Sequence, residues 1–131
     1  MISERCVEAR GEGGSVSIVV AAMAAAIVVL ALGAADVARV FAAASRAQTA
    51  ADAAALAAAQ ELALPEGTLT PSELAADYAA SNGAAMQACG CEPGSFAADV
   101  TVRMLVGPLF LAPDDLSVAA SARAVVDLPA A

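Results

Sequence analysis

Few side chains here have chemistry of their own, and the densest group is Cys89-Gly90-Cys91. Thiols at that spacing have three outcomes: a bridge to each other in an oxidising compartment, two partly exposed thiols, or bonds to another chain. A bridge between residues so close in sequence is strained, and strained disulfides are the labile ones. Cys6 stands apart, ahead of a long apolar run, and the 131 residues contain no His. A lone CxC without His falls short of a zinc site. Without His, the usual relay between a nucleophile and its base cannot be assembled either. Asp114-Asp115 reads as a solvated turn rather than an acid/base dyad. Gly11, Gly13 and Gly14 follow no strand, so they do not form a phosphate cradle. There is no P-loop, nucleophile elbow, HExxH or paired CxxC. The sequence predicts no enzyme, no cofactor, no metal and no small-molecule substrate.

The scaffold that carries these residues begins with Ser15 to Ala35, SVSIVVAAMAAAIVVLALGAA, a run without a charged residue. A bilayer core about 30 Å thick needs roughly 20 apolar residues in a helix, the length of this run. Ile18, Val19, Val20, Ile27, Val28, Val29, Leu30 and Leu32 supply most of the insertion energy, the alanines being nearly neutral. A secretory signal would show a basic start and a shorter apolar region. The start here, MISERCVEARGEGG, is not basic on balance, so the run is read as a retained anchor. Arg5 and Arg10 on one flank balance Arg39 and Arg46 on the other, and charge alone does not orient it. The formal net charge of −8 excludes a basic nucleic-acid face and a polybasic membrane-surface role. Hydrophobic residues make up 60% of the chain but aromatics only 3%. About half of that apolar share is alanine, which contributes little per buried side chain.

The helical pattern continues past the span. From Asp36 to Leu64 there is no Gly or Pro, and alanine, the strongest helix former, dominates. Val37, Val40, Ala44, Ala47, Ala51, Ala55, Ala58 and Leu62 recur at steps of three and four, a stripe on one helix. Span and continuation together predict one helix of about 50 residues and about 75 Å, ended by Pro65 and Gly67. The stripe either packs on the chain's own C-terminal part or admits a second helix, as small residues do. Thr70, Pro71 and Glu73 then spell a capping box for a short helix with Leu74, Ala75 and Tyr78 on its apolar face, stopped near Asn82-Gly83. Beyond Gly83 the period changes to two. Val100, Val102, Met104 and Val106 alternate with Asp99, Thr101, Arg103 and Leu105. Leu116 to Leu128 alternate likewise, and Ala84 to Cys91 make a weaker strand turned by Pro93-Gly94. Between Pro108 and Pro113, Leu109, Phe110 and Leu111 either cap the small core, the favoured reading because exposed apolar runs are uncommon, or stand exposed toward a partner.

The run Asp36 to Gln60, DVARVFAAASRAQTAADAAALAAAQ, resembles the segment after the membrane helix in TadE-like and TadG-like proteins. These are pilin-like, single-pass components of tight-adherence (Flp) pilus assembly systems. The family pattern of Asp and Arg past the membrane, then a polar residue and A-A-D-A-A-A-L-A, falls on Asp36, Arg39, Gln48 and Ala50 to Ala57. Asn82-Gly83, Cys89 and the alternating strands are similar to the short TadE-like type. The resemblance implies an α+β, pilin-like fold: a polar tail (1–14), a transmembrane segment (15–35), a soluble continuation of the helix (36–64) and a small α/β extracytoplasmic portion (65–131), with the N-terminus cytoplasmic. It implies the bilayer and other pilus or secretion subunits as partners, met through Val37, Val40, Ala44, Ala47, Ala51 and Ala55. Gly14 is the candidate processing position. A cut there would place Val19 where type IV prepilins carry Glu, which points to an uncleaved minor component. The contrasting reading is an exported, anchored binding module unrelated to pili.

Overall fold

The structure, a computed structural model, describes residues 13–65 and 67–127. The expectations for Arg5, Cys6, Arg10, Gly11 and Leu128 lie outside the described residues. The described fold is α+β: helix α1 (Gly13–Ala63), helix α2 (Pro71–Ser81) and strands β1 (Ala85–Gly90), β2 (Ala97–Leu105) and β3 (Ser117–Val125). The strands form one antiparallel sheet in the order β1-β2-β3.

Helix α1 is 51 residues long and crosses the expected membrane boundary without a break. Its N-terminal part, from Gly14 to Ala31, is exposed along every face. That apolar run is long enough to cross a bilayer. Farther along, the chain's own sheet and α2 cover one side of the helix. Ala43, Ala47, Ala50, Ala51, Ala54, Ala55 and Ala58 are buried there. The core is therefore methyl against methyl. Val100 and Val102 on β2 are its largest fully buried side chains.

Local chemistry accounts for each connection. Thr70 caps α2 through the reciprocal pair foreseen from sequence: its hydroxyl accepts from the Glu73 amide at 3.2 Å, and the Thr70 amide donates to the Glu73 carboxylate at 2.8 Å. Gly83, at φ +77°, follows the helix in the left-handed region that a glycine enters without steric cost. The turn Glu92–Ser95 is closed by a 3.0 Å bond from the Ser95 amide to the Glu92 carbonyl. Pro93 and Gly94 (φ +88°) occupy its two central positions, as a type II turn requires. Strand β2 alternates as read, with Ala98, Val100, Val102 and Met104 inward. On the solvent face Thr101 meets Ser121 at 3.0 Å. Asp99 pairs with its cross-strand neighbour Arg123 at 3.5 Å, an exposed pair that contributes about 0–1 kcal/mol.

Several expectations are corrected. The register between β1 and β2 shifts between Met86 and Ala88, so a bulge breaks the alternation of β1 and turns Met86 and Cys89 inward. Tyr78 is exposed, and α2 buries only Ala75 and Ala79. Leu109, Phe110 and Leu111 do not cap the core. Phe110 and Leu111 remain 55% and 57% exposed, because the loop is held by its backbone amides at Asp36, outside the core cluster.

Candidate functional site

The residues that act together lie where α1 leaves its apolar run. Asp36 falls on the helix face that the C-terminal part covers, and it is only 7% exposed. Its two carboxylate oxygens accept the backbone amides of Phe110 at 2.8 Å and Leu111 at 2.7 Å. Two consecutive amides on one carboxylate form a charge-assisted fork, stronger than neutral hydrogen bonds. The Phe110 amide is the main reason that the Asp36 carboxyl sits below the ordinary carboxylate range. The Leu111 amide and the Arg39 charge add to this, and partial burial opposes it.

Arg39, almost one turn on, completes the grip. Its guanidinium donates to the Pro108 carbonyl and lies 4.5 Å from the centroid of the Phe110 ring. Gln48 works farther up the same helix. Its amide nitrogen donates to Asp52 at 2.9 Å and to the Ser121 carbonyl of β3 at 3.3 Å. Asp36, Arg39, Gln48 and Asp52 are thus the parts of an intramolecular latch, which fastens the loop 107–115 and the edge of the sheet to α1. Sequence reasoning singled out these positions from the family pattern but did not foresee their partners, which are backbone groups some 70 residues away.

The proposed contact stripe does not form one surface. Val37 and Ala44 are exposed and Val40 is half-buried, whereas Ala47, Ala51 and Ala55 are at most 1% exposed against the chain's own sheet and α2. Those three are closed to another helix while the fold is intact. Phe41, omitted from the stripe, is 72% exposed. It lies between Val37 and Ala44 at steps of four and three, so these three share an uncovered face. The signal was an aromatic residue in an alanine-rich helix with nothing in the chain assigned to cover it.

Cys89 and Cys91 are joined in a disulfide in the structure, with their Cα atoms 5.3 Å apart. Cys91 is buried in the core cluster and Cys89 packs against it. Gly14 lies in the first turn of α1, with open space around it. Asp114 and Asp115 are exposed in the loop. A cleft at the far end of the molecule, about 340 Å³, is lined by Glu61, Leu62, Pro65, Leu69 and Pro93 among others. Among the described residues its lining brings no nucleophile next to a base.

A single apolar helix running unbroken into an α+β head defines a pilin-like, membrane-associated architecture. Residues 14–61 match the family model Tad, described as "Putative Flp pilus-assembly TadE/G-like". The matched stretch follows α1 almost from end to end and contains every helical residue of the latch. Helix α1 is thus similar to a TadE/G-like segment, which that description links to Flp pilus assembly. Neither the curated proteins nor the solved structures give a match.

Proposed function

We propose that this protein is a non-enzymatic, minor pilin-like component of a Flp/Tad-type pilus or a related secretion apparatus. Ser15 to Ala35 anchors it in the bilayer once. The N-terminus is cytoplasmic, the α+β head extracytoplasmic, and the chain uncut at Gly14. The head contacts other subunits through the uncovered flank of α1. The observation that carries this reading is the course of α1. Its exposed apolar run passes directly into the exposed face of Val37, Phe41 and Ala44, while the head covers only another side. An apolar face continuous across the membrane boundary suits side-by-side packing of helices from neighbouring subunits.

A photo-crosslinking residue placed at Phe41 or Ala44 in native membranes tests it. The expected product joins this chain to a second polypeptide that itself carries a pilin-like apolar helix or belongs to the pilus assembly machinery. The same residue at Ala51 should give only bonds within the chain. Adducts to lipid alone from Phe41 and Ala44 overturn the contact. An intact mass of the membrane-extracted protein that begins after Gly14 overturns the uncleaved reading.

A further inference from the structure

We propose that the loop 107–115 is a second membrane contact, which sets Phe110 and Leu111 into the interfacial layer of the leaflet where α1 emerges. The inference rests on the reading of Ser15 to Ala35 as a bilayer span. From Gly14 to Gly33 the helix rises about 30 Å, the thickness of a hydrocarbon core. Gly33 therefore marks the edge of that core. The loop reaches this level: a Cβ built on Gly33 would lie 3.7 Å from a terminal methyl carbon of Leu111. Phe110 and Leu111 are exposed there, and no charged residue occurs from Val106 to Pro113. Asp36, one turn beyond Gly33, fixes their backbone through both of its oxygens. Water is thus the costlier surrounding for these side chains, and the nearest apolar medium is the lipid already around the helix. Arg39 lies over the Phe110 ring at the level of the headgroups, a position that suits a long cationic side chain. With a net charge of −8 the chain is repelled by anionic lipid; the contact is apolar and belongs to zwitterionic bilayers as well.

The chain has no Trp, so single tryptophans report depth cleanly. The full chain is reconstituted in phosphatidylcholine vesicles with brominated acyl chains. It carries Phe110→Trp, Met23→Trp in the middle of the span, or Phe96→Trp, an exposed aromatic at the other end of β2. Phe110→Trp should emit to the blue of Phe96→Trp and lose emission most strongly to bromines near the headgroup. Met23→Trp should lose it to bromines deep in the chains, and Phe96→Trp should be quenched only by aqueous acrylamide. A Phe110→Trp chain quenched like Phe96→Trp, beside a quenched Met23→Trp, overturns the loop contact and leaves the span standing. Shielding of Phe110→Trp from acrylamide without lipid quenching also overturns it, by showing a protein cover. Loss of lipid quenching at both positions overturns the span and the inference together.

Discussion

Ala51→Leu separates the two surfaces that an alanine stripe can form. Ala51 is 0% exposed and belongs to the cluster that holds Ala75, Ala79, Val100 and Val102. The substitution adds three carbons where the structure has no room for them, and overpacking of this kind costs about 1–3 kcal/mol. For a domain of this size each kcal/mol lowers Tm by roughly 4–8 °C, so a drop of about 4–24 °C is expected. Ala44→Leu adds the same carbons on an exposed position and should stay within about 0.5 kcal/mol of the parent. Both positions lie on the stripe read from sequence, which makes the pair a controlled comparison. The assay is brief tryptic digestion of the full chain in detergent micelles as temperature rises. Cleavage at Arg103 and Arg123, which stand within β2 and β3, reports opening of the sheet. If Ala51→Leu melts with the parent, or Ala44→Leu falls as far, the helix face assigned to the core is wrong.

Four further outcomes follow from the same geometry. Val102→Ala removes two methyl groups from a fully buried site; about 0.8 kcal/mol per group plus a cavity penalty gives roughly 2–3 kcal/mol, measured as a urea midpoint. Thr70→Ala deletes the cap of α2 and should cost about 1 kcal/mol, with hydrogen exchange fastest in the first turn of that helix. Asp36→Asn should destabilise the loop at neutral pH. Because the Asp36 carboxyl is depressed in the folded chain, its contribution is complete above the ordinary carboxylate value and is lost as pH falls through the folded one, so parent and variant should converge in acid. Alkylation without reduction, followed by intact mass, should label only Cys6 if Cys89 and Cys91 are bonded to each other in the cell.

The elements that were legible in the sequence each carried contrasting residues. Thr70-Pro71-Glu73 names a helix start through side chains that can bond only one way. Strand β2 reads plainly because Asp99, Thr101 and Arg103 alternate with Val100, Val102 and Met104. The buried face of α1 was less legible for the opposite reason. It runs through Asp36, Val40, Ala43, Ala47, Ala50 and Ala54, displaced from the stripe drawn through Val37 and Ala44. In a stretch where half the positions from Asp36 to Ala63 are alanine, adjacent faces share many side chains and the period is weakly phased. The latch was hidden differently. Asp36 and Arg39 bind a backbone amide pair and a backbone carbonyl, groups that every residue has and no sequence pattern marks.

The same two facts explain why the head is fastened at the membrane end. A core of methyl groups yields little free energy per residue and leaves few shape constraints to fix how a sheet sits along a featureless helix. Sliding α1 by four residues, about one turn, along such a core would exchange Ala43, Ala47, Ala50, Ala51, Ala54 and Ala55 for Ala47, Ala51, Ala54, Ala55, Ala58 and Ala59. Polar groups break that degeneracy, since a carboxylate pairs with two amides in one register only. Asp36 with Phe110 and Leu111 fixes the lower end, and Gln48 with Ser121 fixes the sheet a few turns higher. With both in place, the face of Val37, Phe41 and Ala44 keeps a constant angle to the head. Under the function proposed above, a subunit packing on that face would meet one defined orientation of the sheet.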